Sequence, residues 1–233
     1  MEEEMSALWA NQTWTVVPLP PGQKPVGCKW VFVIKHAADG TIDHLKARLV
    51  ARGFTQQQGL DYEETFSPVA KLNTIRVLIF VDVHRQWPLF QLDIKNAFLN
   101  GDLQETVYMQ QLPGFEVTGE SQVCCLQKAM YGLKLSPRAW FEKFSKVLRD
   151  IGFTRSSTDF SLFTRYRPTK AVLLSVYVDD IIITGDDSQG IQTVKVHLNC
   201  LSDKGFGTST IFLGSRGCQT TGWVYSISTK VLS

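Results

Sequence analysis

The sequence predicts a mixed α+β fold built around antiparallel hairpins, and three stretches carry that expectation. The first is CKWVFVIKH (28–36) and its return run IDHLKAR, on either side of the turn signal Ala38-Asp39-Gly40. Both runs alternate apolar and polar residues, the period of a half-buried strand. The second is LLSVYVDDIIITG (173–185), where two apolar runs flank Asp179-Asp180 and read as covered strands joined by a tight turn. The third follows Ser136-Pro137, where Trp140, Phe141, Phe144, Val147, Leu148 and Ile151 recur at helical spacing and Gly152 ends the run. Strands that return by turns, interleaved with amphipathic helices, define the class.

At 233 residues, 44% hydrophobic and 20% charged, the chain is long and apolar enough to bury a core. It has no apolar run long enough for a membrane helix. Its acidic start, MEEEMSALWANQTW, lacks the basic-then-apolar pattern of a secretion signal, so an intracellular protein is expected, cytoplasm and nucleus not being distinguished. Five cysteines without a CxxC pair suggest neither a disulfide framework nor a zinc site, and a reducing compartment is the default. The net charge of +2 hides a pattern: six basic residues in Lys24–Arg52, five acids with only Lys95 in Asp93–Glu120, and six basic residues in Lys128–Arg149. Two basic blocks around an acidic one suit a phosphate-rich ligand with cations at its reacting centre; they also describe ordinary solvated faces.

Taken in order, residues 1–25 end in Pro18, Pro20, Pro21 and Pro25 and read as a leader and linker. In the first hairpin, Leu45, Ala47, Leu49 and Ala51 face one side, while Lys46, Arg48 and Arg52 face the other as a row of fixed cations. Residues 53–68 are loop-like. Asn73 or Thr74 is expected to cap a helix running to about Arg85, stopped by Trp87-Pro88. In the short strand that follows, Phe90 and Leu92 point one way, Gln91 and Asp93 the other. Thr106–Gln110 reads as a strand. Ser136 is expected as an N-cap with Pro137 at the first helical position. Ser188 is the expected cap of a helix carrying Ile191, Val194, Leu198 and Leu201 on one face, and weak strand runs follow Ile211.

Asp179 and Asp180 bracket the central question. Two carboxylates about 4 Å apart repel by roughly 4 kcal/mol at an effective dielectric near 20, so such a pair is either solvated and splayed or held by a cation. Asp93, on its own strand, supplies a third carboxylate, and converging carboxylates are hard oxygen ligands suited to Mg²⁺. Here the sequence resembles the reverse transcriptase domain of copia-type LTR retrotransposon Pol polyproteins. The matching stretches are GCKWVFVIK, KARLVARGFTQ, DYEETFSPVAKL, QLDIKNAFLNGDL, YMQQLPGF, YGLKLSPRAWFEKF, DFSLF and YVDDIIITG, spanning roughly Asn11 to Leu198.

That resemblance implies a right-hand polymerase fold: a palm of antiparallel sheet packed on helices, with a fingers subdomain and a missing or incomplete thumb. The segments expected are a leader at 1–25, fingers at 26–90, palm at 91–200, and a divergent, truncated primer-grip region at 201–233. It implies RNA- or DNA-templated DNA synthesis with Mg²⁺ (or Mn²⁺), a template with primer and dNTPs as partners, and no membrane. Asp93, Asp179 and Asp180 match the catalytic aspartates, with Asp93 and Asp179 as main metal ligands. Lys46 and Arg48 match the fingers hairpin that holds the triphosphate, without a choice between the two. The backbone N–H groups of Asn96 and Ala97 would face the phosphates. Phe98 matches the aromatic that excludes a 2′-hydroxyl. Tyr131 to Pro137, including Lys134, match the segment that positions the template–nucleotide pair. The chain departs from the family pattern at Leu135, where the family carries a polar residue, and at Ser215-Arg216-Gly217, where it carries an apolar–acidic–apolar triplet. These departures leave two further functions open: an inactive element remnant that folds and binds nucleic acid, and a non-catalytic interaction protein.

Overall fold

The computed structural model describes residues 1–37, 39–59, 61–112, 114–116, 121–201 and 208–214. The architecture is α+β, as expected: every strand pair in its three sheets is antiparallel, and four α-helices accompany them among the described residues. The chain forms two compact units, each discontinuous in sequence. The first contains residues 1–67 and 96–143, the second residues 68–95 and 144–233.

In the first unit, α1 (Glu2–Ala10) leads into β1 (Trp14–Pro18). The stretch expected as a leader and linker thus holds a helix and a strand. The reason is visible in its side chains: Met5 and Leu8 are 2% and 1% exposed, and β1 pairs with β6 (Gln122–Lys128), which in turn pairs with β5 (Asp102–Met109). The long hairpin of β2 (Cys28–His36) and β3 (Ile42–Ala51) keeps the expected alternation, with Trp30 opposite Leu49 on one face and Val31 opposite Arg48 on the other.

The second unit is built on a six-stranded sheet. Its order is β11 (Thr208–Gly214), β4 (Leu89–Ile94), β10 (Asp180–Gly185), β9 (Lys170–Tyr177), β8 (Leu162–Arg167), β7 (Thr154–Arg155). Every residue of the central strand β10 is buried, which is why Ile181–Ile183 run on without the alternation of a half-exposed strand. Helix α2 (Leu72–Arg85) packs beside it, Ile75 joining Ala70, Leu89 and Ile182 in a cluster with Ile79 and Tyr177 against it. Helix α4 (Ser188–Leu201) follows the sheet's centre, burying Ile191, Val194 and Leu198.

Helix α3 (Ser136–Asp150) presents the predicted stripe, with Trp140, Phe141, Phe144 and Leu148 all buried. Side chains of that size each stabilise by about 1.5–3 kcal/mol when buried.

The expected helix caps shift by a residue or more. Ser136 is the first helical residue, and its hydroxyl donates to the Met130 carbonyl. At α2 the capping position is Lys71, while Thr74 donates its hydroxyl to Asp159 Oδ2 at 2.5 Å. At α4 the cap is Asp187, whose Oδ1 accepts the Gly190 N–H at 2.9 Å. Leu135, expected beside a ligand, is 1% exposed and is a core residue; an apolar side chain fits that place.

Asp82 lies on the buried face of α2 with Ile75 and Leu78, and is 3% exposed. Burial pushes its carboxyl from 3.8 up to about 6, against the smaller opposing effect of a hydrogen bond from Thr184. The fold therefore holds a proton that the unfolded chain has released, and Asp82 costs stability increasingly as pH rises from about 4 to 6. Asp82→Asn should raise Tm at pH 7.5 by roughly 2–4 °C for each kcal/mol relieved, with the gain vanishing near pH 4. A thermal melt series across that range checks it; a gain independent of pH would contradict the buried-acid account.

Candidate active site

The site begins with register. Strand β4 lies between β10 and β11, and Asp93 pairs with Asp180 on one side and Ser209 on the other. Directly opposed residues in an antiparallel pair present their side chains on the same face, with Cβ atoms about 4.5–5.5 Å apart. Asp93 and Asp180 are therefore neighbours across the ladder. Gln91, two residues before Asp93, shares that face, and its amide Nε2–H donates to Asp180 Oδ1 at 2.9 Å. Asp180 is 4% exposed, while Asp93 and Asp179 are half-buried.

The turn differs by one residue from the sequence expectation. Asp180 pairs with Tyr177 across the hairpin, so the two loop residues are Val178 and Asp179, and Asp180 is already the first residue of β10. A two-residue hairpin favours a primed turn with positive φ at its first position, which glycine adopts freely. Here Val178 takes it, at φ 56°. A β-branched residue in that region is strained, by an amount of order 1–3 kcal/mol. The ladder holds it there: the Ile94 N–H donates to the Asp179 carbonyl at 2.9 Å, extending the β4–β10 pairing into the turn.

Two facing carboxylates about 5 Å apart repel by roughly 3 kcal/mol at an effective dielectric near 20. A divalent cation relieves that repulsion. Among the described residues no group of three or more His, Cys, Asp and Glu side chains is placed to hold a metal ion. The pair Asp93 and Asp180, with Asp179 adjoining, nevertheless fits Mg²⁺ in its usual mode, in which one or two carboxylates act with waters and substrate phosphates rather than as a closed protein cage.

A second constellation lies in the first unit. Arg48 sets its guanidinium 4.6 Å from the centre of the Tyr131 ring. Phe98 meets the same ring edge-on at 5.5 Å and 72°, and the Tyr131 hydroxyl donates to Asn96 Oδ1 at 3.4 Å. Four of the expected nucleotide-binding residues thus form one cluster around Tyr131. Lys46 shares the strand face of Arg48; burial lowers its ammonium pKa, with the Arg48 charge acting the same way and Glu4 opposing. Asn96 sits at φ 53° and opens the short 3₁₀ turn Ala97–Asn100, in which Ala97 is buried. Lys134 is exposed, and its backbone N–H donates to Gln56 Oε1 at 3.0 Å.

Backbone contact fixes this cluster. The Ala51 N–H donates to the Tyr131 carbonyl at 2.8 Å, tying the end of β3 to the turn. Gly132 has φ 89°, and a Cβ there would lie 2.1 Å from the Ala51 carbonyl oxygen. A side chain at that position would part the strand that carries Arg48 from the loop that carries Tyr131.

The basic block Lys128–Arg149 has a different use from the one its composition suggests. Lys128 and Lys143 (at 2.6 Å) both pair with Asp102, and Arg138 pairs with Glu105 at 2.5 Å. Burial alone would raise the Asp102 carboxyl; its two ammonium partners outweigh that and hold it below the ordinary value. Part of this block therefore neutralises the acidic segment between the blocks.

Gln91 and Gln56 are the polar residues that sequence reasoning did not single out. The alternation that placed Gln91 on the face of Asp93 was the available signal; nothing in the sequence connects Gln56 to Lys134.

Facing carboxylates beside a hairpin turn present hard oxygen donors, the kind of ligand that divalent cations take. The comparisons with known proteins make the assignment specific. The chain belongs to the Reverse transcriptase (RNA-dependent DNA polymerase) family, which it matches over residues 11–231. That match runs past Leu201, where the motif resemblance thins. The chain is 50% identical over 189 residues to the Retrovirus-related Pol polyprotein from transposon RE1 of Arabidopsis thaliana, covering 80% of this chain and 13% of that protein. It is 40% identical over 219 residues to the Retrovirus-related Pol polyprotein from transposon TNT 1-94 of Nicotiana tabacum, covering 93% of this chain and 16% of that protein. The chain thus spans only 13% to 16% of the length of these curated relatives. A solved foamy viral protease-reverse transcriptase in complex with ds DNA aligns over 88% of this chain and 30% of that chain at 12% identity and a TM-score of 0.39, a likeness too slight to bear on the fold.

Gly132→Ala should destabilise the first unit by roughly 1–3 kcal/mol through strain and the forced separation from Ala51. Urea denaturation reads this as a lower midpoint with an unchanged slope. A midpoint equal to that of the wild type would contradict the close approach.

Proposed function

We propose that this domain performs RNA- or DNA-templated DNA synthesis by two-metal nucleotidyl transfer, with the second unit's sheet as palm and the β2–β3 hairpin as part of the fingers. The observation that carries the proposal is the registered pair Asp93 and Asp180, with Asp179 in the adjoining turn, in a chain of the reverse transcriptase family. In the reaction the primer 3′-hydroxyl gives up its proton to solvent, its oxygen forms a bond to the α-phosphorus of a dNTP, the bond from that phosphorus to the α–β bridging oxygen breaks, and pyrophosphate leaves. Bound divalent cations supply charge stabilisation to the attacking and leaving oxygens. Asp93, Asp179 and Asp180 are the residues proposed to hold them.

The chain's other residues have roles that follow from their placement. Lys46 and Arg48 lie on one face of β3 and offer fixed positive charge to the triphosphate. Tyr131 stacks under Arg48 and limits the arc its guanidinium sweeps, lowering the entropy lost when phosphate is bound. Asn96 and Ala97 open a short turn whose leading N–H groups suit phosphate oxygens. Phe98, steadied edge-on by Tyr131, is placed to exclude a sugar 2′-hydroxyl. Lys134, exposed on the turn after Tyr131, supplies charge near the template–nucleotide pair.

Primer extension on poly(rA)/oligo(dT) with Mg²⁺ and dTTP tests the reading. Asp93→Asn and Asp179→Asn should each reduce extension below detection; full activity in either would remove that residue from the site. Phe98→Ala should admit ribonucleotides, lowering the preference for dTTP over UTP at least tenfold, and an unchanged preference would refute its role as a gate.

A further inference from the structure

Gln91 is a half-buried polar residue that contacts the site. It stands two positions before Asp93 on the same face of β4, and its amide donates to Asp180 Oδ1 at 2.9 Å. Its direct cross-strand neighbour is Ile182, so the bond to Asp180 is a diagonal reach along one face of the ladder. A glutamine spans that diagonal; an asparagine, shorter by one methylene, does not.

Three features of this contact bear on its effect. Asp180 is 4% exposed, so water does little to orient its carboxylate. Its register partner is another carboxylate, Asp93, which repels it. Gln91 is uncharged, so its N–H satisfies one Asp180 oxygen without neutralising the negative charge that a cation needs. An Arg or Lys at this position would also donate, but would compete with the cation. The amide therefore restrains Asp180 against the repulsion of Asp93 and adds no positive charge of its own. Outer donors of this kind orient ligating carboxylates, and their loss typically costs 10–100-fold in metal affinity.

We infer that Gln91 is a positioning residue: through its hydrogen bond to Asp180 it holds that carboxylate beside Asp93 in the orientation that receives a divalent cation. The inference rests on the metal-assisted reading proposed above. It adds a requirement the family motif YVDD does not contain, namely a neutral donor two residues before the strand aspartate.

The test is Mn²⁺ binding to the nucleotide-free protein, followed by the electron paramagnetic resonance signal of free Mn²⁺, so that no turnover enters the readout. Gln91→Met keeps the side-chain length and removes the donor; it should weaken Mn²⁺ binding about tenfold. The effect should run through Asp180: in the Asp180→Asn background, adding Gln91→Met should change affinity less than twofold, since the bond's acceptor charge is already gone. Affinity equal to wild type in Gln91→Met, or a full tenfold further loss in the double variant, overturns the inference. Gln91→Leu is read beside it, and failure of both variants to melt cooperatively also overturns it, because the bond would then serve the fold. The two readings fail differently. Wild-type protein that binds no Mn²⁺, or binds it equally well as Asp93→Asn, refutes the metal site itself. Asp93-dependent binding that ignores Gln91 refutes only the positioning role.

Discussion

The pairing of β4 with β10 is the constraint on which the candidate site depends. Strand side chains alternate faces with a period of two, so a slip of one residue would send Asp180 to the opposite face from Asp93. Three things hold the register. Strand β10 is buried along its whole length, and its apolar contacts are lost in any other alignment. The Ile94-to-Asp179 hydrogen bond carries the ladder into the turn. The two-residue loop leaves β9 and β10 no slack, and Val178 accepts a left-handed backbone to close it. The strain at Val178 is thus the cost of bringing Asp180 into the ladder rather than leaving it at a loose tip.

Charge is distributed to match. Within the acidic stretch Asp93–Glu120, Asp102 and Glu105 are matched in the first unit by Lys128, Lys143 and Arg138, and serve the fold. Asp180, in the second unit, accepts a hydrogen bond from the neutral Gln91 amide, which brings no positive charge of its own. On the basic side, Arg48 meets the face of an aromatic ring, a contact that steadies the guanidinium without neutralising it.

Much of this was legible in the sequence, and the residues show why. The β2–β3 hairpin and the α3 stripe carry strong single periods and formed with them, but the hairpin's apolar face is covered only towards its base, where Leu49 is buried, while Phe32, Ile34 and Leu45 are exposed. The aspartates stood out because carboxylates among apolar runs demand an explanation. Residues 1–25 misled because their four prolines resemble a linker, while the burial of Met5 and Leu8 depends on partners far along the chain. The turn was misplaced by one residue because a left-handed valine is not a choice that local propensity makes. Leu135 looked like a defect in a ligand pocket only until its burial showed it to be core. The cluster of Arg48, Asn96, Phe98 and Tyr131 was named residue by residue from the family pattern; its geometry around one ring was not in the sequence. The primer-grip departure at Ser215-Arg216-Gly217 lies outside the described residues.

The divalent-cation site proposed at Asp93, Asp179 and Asp180 depends on the β4–β10 register. Paramagnetic broadening by substoichiometric Mn²⁺, read on backbone amides of the isotope-labelled protein, tests it most directly. The account predicts that the amides of Asp93, Ile94, Asp179 and Asp180 broaden first while those of β7 and β8 stay sharp. Broadening that spares those four amides, or that spreads evenly over the acidic surface, would contradict it.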